Sequence, residues 1–214
     1  MSEVSSDVSS GGVAFANLMK AIKDGVYRPG DRLREVEVAE RLDLSRTPVR
    51  EAMRRLEAEN IIEHRPRVGA VIRTLGQTEV VELYEMRLVL ERTAAEMAAK
   101  HAMEAEIDEM AALNDDISNM AEGGPQAATI NQTFHRAIYL AARNRFLLDA
   151  ARAMNNALLL LGPTTLADAE RIATVVRQHA SIIDAISAGD VEGAGAAAEA
   201  HLQTSLRYRL KVMR

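Results

Sequence analysis

Apolar positions recur every three or four residues along most of the chain, the period of helices that bury one face. Phe15, Leu18, Met19 and Ile22 predict a first helix over 13–24, with Gly25 as its stop. After a turn at Tyr27-Arg-Pro-Gly-Asp31, Val38, Ala39 and Leu42 form the inner face of a second, over 33–42. Asp43-Leu44 then links tightly to a third over 45–57, where Val49, Ala52, Met53 and Leu56 fall at i, i+3, i+4 and i+7. Ser45 is placed to cap that helix, and Pro48 in its first turn loses no hydrogen bond, because those N–H groups have no helical acceptor. Two short helices so closely joined predict a helix-turn-helix. Glu59-Asn60 closes the third helix, and Ile61–His64 and Ala70–Arg73 read as two short strands joined by Arg65-Pro-Arg-Val-Gly69, a wing.

Beyond this point the period stays helical. Residues 75–77 form a linker and Thr78 is placed as a cap. The helix over 79–102 is apolar around most of its circumference (Val80, Val81, Leu83, Leu88, Leu90, Ala94, Met97), as expected where a helix packs on both its own bundle and a partner subunit. Further helices are predicted at about 104–120, 126–142, 144–161, 167–188 and 190–212, separated by Gly123-Gly-Pro125, Arg143-Asn144, Gly162-Pro163 and Gly189-Asp190. Residues 1–12, rich in Ser, Gly, Val and Asp without period, predict a disordered leader. The expected fold is therefore mainly α: a leader at 1–12, a winged helix-turn-helix at 13–74, and an all-α antiparallel bundle at 78–214.

Composition supports that picture. Of 214 residues 48% are hydrophobic, Trp is absent and only five prolines interrupt the chain. The lack of cysteine excludes disulfides and thiolate metal sites. With no signal-peptide pattern and no run of 18 apolar residues, a cytoplasmic protein without membrane contact is expected. The net charge of −5 is uneven: residues 12–76 carry 13 Lys and Arg against 10 Asp and Glu, whereas 77–214 carry 13 against 19. The basic excess accompanies the third helix.

That helix carries candidate chemistry. Arg46, Arg50 and Arg54 form a stripe at i, i+4 and i+8 with Thr47 beside it and few acidic partners on the same face. Guanidinium groups in such a row suit phosphate oxygens and the acceptor edge of guanine. Taken alone, the row also fits a solvated helix face. Arg65 and Arg67 at the wing tip, with Gly69 permitting the tight turn, could reach backbone phosphate or the minor groove; the other reading is a plain hairpin.

Residues 22–73, with Gly25, Pro29-Gly30, Leu33, Glu35, Ala39, Ser45-Arg-Thr-Pro-Val-Arg-Glu-Ala52, Leu56-Glu57 and Gly69, resemble the winged helix-turn-helix of GntR-type bacterial transcription regulators. The resemblance implies that Arg46, Thr47 and Arg50 contact double-stranded operator DNA, assisted by the wing around Arg67 to Gly69. The six helices that follow, with Asn131-Gln-Thr-Phe-His135, Asn144, His179 and His201, are similar to the FadR-like, or FCD, half of the same family.

Three of the five histidines fall on inward faces: His179 in a stripe from Ile172 to Ile186, His201 with Ala194, Ala198, Ser205 and Tyr208, and His135 one turn after Asn131. Neutral imidazoles from three helices of a bundle, with an oxygen donor at i−4, are the materials of a divalent metal site of the Zn, Ni or Mn class. Each could instead be a core histidine satisfied by a hydrogen bond. The resemblance implies a cation held by one acidic residue and three histidines, and Asn131 stands where many members have Asp. An uncharged donor set leaves the cation's charge unbalanced, which favours a small carboxylate or sugar-acid effector that completes the shell. Arg87 lies in the apolar stripe of its helix and is either tied to Glu91 one turn on or awaits that anion.

The expected protein is a homodimeric, effector-responsive transcription regulator on a palindromic operator. A metal-dependent hydrolase is the alternative, but it would need a general base, and no Asp or Glu stands within a turn of His135 or His179, while Glu199 faces away from His201's stripe. A winged-helix dimer without effector would leave the histidines structural.

Overall fold

The computed structural model describes residues 9–120 and 122–213, which form two compact units: one reaching to Leu75 and including Asn156–Gly162, the other Gly76–Asn155 with Pro163 onward. Positions 1–8 of the expected leader lie outside the described residues. Its remainder is not irregular, because helix α1 spans Ser10–Lys23 with the Ser9 hydroxyl accepting from the Gly12 N–H at 3.1 Å. Gly11 is buried against Glu51, where a side chain would collide with the carboxylate. A Ser-Gly-Gly string that reads as linker is here a capped first turn in close contact.

In the N-terminal unit α1 packs on α3 (Arg46–Ala58), which follows α2 (Glu35–Leu42). Asp43 makes the turn between them in the left-handed region at φ 53°, and the Leu44 N–H returns to the Ala39 carbonyl at 3.0 Å. Pro48, Val49, Ala52, Met53 and Leu56 are the buried face of α3. Ser45 occupies the cap position, but its hydroxyl makes no capping bond. Strands β1 (Ile62–Arg65) and β2 (Gly69–Ile72) pair antiparallel with Arg65 opposite Gly69, and Arg32 adds a single bridge to Val71. Gly69, at φ 96°, supplies the positive φ the wing turn requires. Leu18, Ile22, Val49, Leu56, Ile62 and Ile72 centre the core, joined by Leu160. Leu160 follows a bundle helix in the chain: the helix expected over 144–161 is α7 (Arg145–Leu158) followed by a 3₁₀ turn at Leu159–Leu161. Within that unit Asn156 Nδ2 donates to Glu59 Oε2 at 2.9 Å.

The second unit comprises α4 (Gln77–His101), α5 (Glu104–Ser118), α6 (Pro125–Ala141), the body of α7, α8 (Ala169–Ser187) and α9 (Val191–Val212). Thr78 lies inside α4 rather than capping it; Glu79 Oε2 accepts from the Gly76 N–H at 2.9 Å instead. Asp168 and Asp190 cap α8 and α9 through the N–H groups of Arg171 and Gly193. Helix α4 lies along α9 over a seam of Ala94, Ala98, Ala194 and Ala198, small residues that let two backbones approach closely. Phe134, Ile138, Ile182, Ile183 and Ile186 fill the adjoining core. Gly123 closes the α5–α6 turn at φ 66°, where any side chain would meet the Leu166 carbonyl. This packing brings the inward faces of α4, α6, α8 and α9 together. Among the described residues no helix is long and apolar enough to cross a membrane.

Candidate functional site

On the N-terminal unit Arg46, Thr47, Arg50 and Arg54 are all exposed along α3, as a groove-reading face requires. The face is less free of acid than its own helix suggests, because Glu35 at the start of α2 lies across it. Arg50 donates from Nε to Glu35 Oε1 and from Nη2 to Glu35 Oε2, both at 2.9 Å, and Arg46 Nη2 reaches Glu35 Oε2 at 3.4 Å. The hydrogen bond from Arg50 holds the Glu35 carboxyl below the usual carboxylate range. A carboxylate gripping Arg50 bidentately presets its planar fork. On the wing, Arg65 Nε donates to Glu63 Oε1 at 2.8 Å. Arg67 is exposed at the tip, its backbone left-handed at φ 64°.

In the helical unit, α6, α8 and α9 bring His135, His179 and His201 together, 7%, 0% and 2% exposed. One ring nitrogen of each lies within 4.8 Å of the others. The ring of Phe134 stacks on His179 at 3.8 Å, fixing its plane. Burial and the neighbouring rings push the His179 and His201 pKa values well below the ordinary histidine value, so both stay neutral at physiological pH, the protonation state a metal ligand needs.

The ring orientations carry more. His135 Nδ1 lies 2.6 Å from Glu91 Oε2. A carboxylate only accepts, so Nδ1 bears a proton and Nε2 is the nitrogen left for another partner. His201 Nδ1 is 3.2 Å from Gln178 Oε1, and Gln178 Nε2 donates to the Thr204 hydroxyl at 3.1 Å, which turns the amide oxygen towards the ring and frees His201 Nε2 in the same way. His135 Nε2, both nitrogens of His179 and Asn131 Oδ1 are buried without a hydrogen-bond partner. Each such atom costs about 1–3 kcal/mol when left unsatisfied. One ring nitrogen from each of the three histidines at a single place forms a set that a divalent cation would satisfy together, which a histidine held by an ordinary core hydrogen bond would not need.

Arg87 is tied to Glu91, with Nη2 and Nε at 2.6 and 3.0 Å from Oε1. Glu91 is therefore shared: one oxygen takes Arg87, the other orients His135. Burial opposes its ionisation, but the Arg87 guanidinium and the hydrogen bond from His135 hold its carboxyl far below the normal range. Sequence proximity to the histidines did not single out Glu91, because it reaches His135 from another helix. Such a carboxylate stays ionised and is unsuited to act as a general base, whose pKa must lie near the working pH.

The sequence pattern of the FCD domain matches residues 82–204, and that of the bacterial regulatory proteins of the gntR family matches residues 12–72. The chain is 33% identical over 195 residues, 88% of its length and 84% of the relative's, to a probable D-xylose utilization operon transcriptional repressor of Paenarthrobacter nicotinovorans. It is 28% identical over 202 residues, 93% of its length and 90% of the relative's, to the HTH-type transcriptional regulator YdhC of Bacillus subtilis. Escherichia coli McbR/YncC shares its fold at a TM-score of 0.82 and 22% identity, over 97% of this chain and 100% of that one. The chain belongs to the GntR family of bacterial transcription regulators, in the branch with an FCD domain as its C-terminal half, and not to a class of enzymes.

Proposed function

We propose that this regulator is a homodimer that binds a palindromic operator through α3 and the wing, and that a divalent cation at His135, His179 and His201, with Asn131 as oxygen donor, couples operator binding to a small organic anion. The convergence of three buried imidazoles, two of them oriented by Glu91 and Gln178, carries the metal reading. A cation of the Zn, Ni or Mn class fits the mixed nitrogen and oxygen donors. Glu91 is negative but balanced by Arg87, so the donor set and its immediate support are together neutral and an added cation leaves positive charge. An anionic effector, a carboxylate or sugar acid, answers that charge.

Arg46, Thr47, Arg50 and Arg54 would face the major groove, with Arg65, Arg67 and Gly69 on the flanking backbone. Met86 and Val89 on α4, 50% and 58% exposed, give the helix an apolar outer face suited to a second copy of the chain. The effector would act by favouring one of two arrangements of the paired DNA-binding units.

The test is metal content and operator binding on one preparation. Purified protein stripped with a chelator and titrated with zinc or nickel should take up one ion per chain, with uptake reduced in the His179→Ala/His201→Ala double variant. Full uptake by that variant would place the metal elsewhere, and operator binding that responds to no metal state would make the histidines structural.

A further inference from the structure

Arg171, in the first turn of α8, is 2% exposed and has no carboxylate partner among the described residues. Its Nη2 donates to the Ser205 hydroxyl at 2.9 Å and its guanidinium carbon lies 4.4 Å from the centre of the Tyr208 ring. Nε and Nη1, which carry three of the five N–H donors, are buried with no hydrogen-bond partner. The nearby Asp168 carboxylate is used by the α8 cap, accepting from the backbone N–H of Arg171 itself. A buried guanidinium needs an anion, and the other arginine beside the histidines, Arg87, already has one in Glu91.

The position of Arg171 relative to the histidines indicates which anion. Ser205 stands one turn past His201 on α9, about 6 Å along the helix axis. Arg171 occupies the same inward stripe of α8 as Val175 and His179. With a cation at the histidines, this part of the bundle would offer two separate electropositive points: the cation, and a guanidinium about one helical turn further on with its planar fork unfilled.

We propose that Arg171 anchors the second anionic group of a bifunctional effector, so that the site selects short dicarboxylates, or acids with an equivalent second anionic group, over monocarboxylates. This rests on the metal reading above and sharpens it: one carboxylate meets the metal, the other takes the free N–H donors of Arg171 in a bidentate pair. Arg87, neutralised by Glu91, positions His135 rather than holding the anion.

Succinate and butyrate have the same number of carbons and differ in one carboxylate, which makes them suitable probes. Calorimetric titration of the nickel-loaded, full-length protein should show succinate binding at least about 10-fold more tightly than butyrate, the difference a charge-assisted bidentate pair supplies. Arg171→Gln should remove that preference while leaving nickel affinity unchanged, and Arg171→Lys, which keeps the charge but not the fork, should retain part of it. Arg87→Gln should weaken nickel binding through His135 yet keep the succinate preference. Without ligand, Arg171→Gln should melt no lower than the parent, since it removes an unpaired buried charge; should it fail to fold, the Arg171→Lys comparison decides. Equal affinities for the two acids, no measurable succinate binding, a preference that survives Arg171→Gln, or a preference lost in Arg87→Gln instead would each overturn the assignment while nickel still binds. Failure to take up nickel would overturn the metal reading and this inference with it.

Discussion

Glu91→Gln removes one negative charge from the middle of the Arg87–Glu91–His135 chain while keeping the size of the side chain and an oxygen able to accept from His135 Nδ1. The Arg87 and Glu91 side chains are both 9% exposed, so the guanidinium left behind has little access to water. Losing one member of such a buried pair costs about 3–5 kcal/mol, and the retained amide oxygen places this variant near 3. For a chain of this length each kcal/mol corresponds to roughly 2–4 °C, so the melting temperature of chelator-treated protein should fall by about 6–12 °C. Metal affinity, read by competition with a chromogenic chelator, should drop about 10- to 100-fold, because a neutral amide orients His135 but no longer raises its basicity. Adding Arg87→Met should restore most of the stability, since no unpaired charge remains, but not the metal affinity. A melting temperature unchanged in Glu91→Gln, or a double variant no more stable than the single, would refute the shared-carboxylate account.

Arg50→Ala should weaken operator binding about 10- to 100-fold and relax base preference at one position per half-site, measured by anisotropy against single-base operator variants. Glu35→Gln should raise affinity for random duplex and narrow the gap between operator and random DNA, since the carboxylate both restrains Arg50 and opposes phosphate; an unchanged gap would remove Glu35 from the interface. Arg67→Ala should weaken binding to all sequences alike and lower the salt slope by about one unit, and equal slopes would place Arg67 off the backbone. The metal-free protein should lose stability as pH falls below about 6.5, because the unfolded chain then protonates His179 and His201, which the fold keeps neutral. Glu91, whose folded pKa is depressed, should add stability above its unfolded value near 4.3 that is lost on further acidification. A urea midpoint higher at pH 5.5 than at 7.5 would contradict that sign.

What could be read from the sequence was what repeats along one helix or one hairpin. The inward stripe of α3, the wing turn set by Gly69, and the three histidines on the buried faces of α6, α8 and α9 each declare themselves by spacing within a single element. Partners arriving from elsewhere in the chain were not legible. Glu35 crosses from α2 to Arg50, and Glu91 crosses from α4 to His135, although an arginine in an apolar stripe beside a glutamate at i+4 was a sign that this turn of α4 is buried. Arg171 could have been found, because it stands eight residues before His179 on one stripe of α8; the apolar count beginning at Ile172 passed over it. Local chemistry misled in three places. Ser45 and Thr78 suit caps that the backbone does not use, and the Ser-Gly-Gly string at the start of α1 hides a capped helix. The place of Leu160 in the N-terminal core depends on tertiary packing that periodicity cannot carry.

The coupling of metal occupancy to DNA recognition is tested most directly by competition anisotropy on a fragment from the upstream region of the chain's own gene. Apo, nickel-loaded, and nickel-plus-succinate protein would each be titrated against that fragment and against random duplex at 150 mM salt. The account expects a preference for the fragment of about 10³-fold or more in at least one state, and a shift in that preference between the nickel-loaded and nickel-plus-succinate states that His179→Ala/His201→Ala abolishes. Identical curves for all three states, or a shift that persists in the double variant, would contradict it.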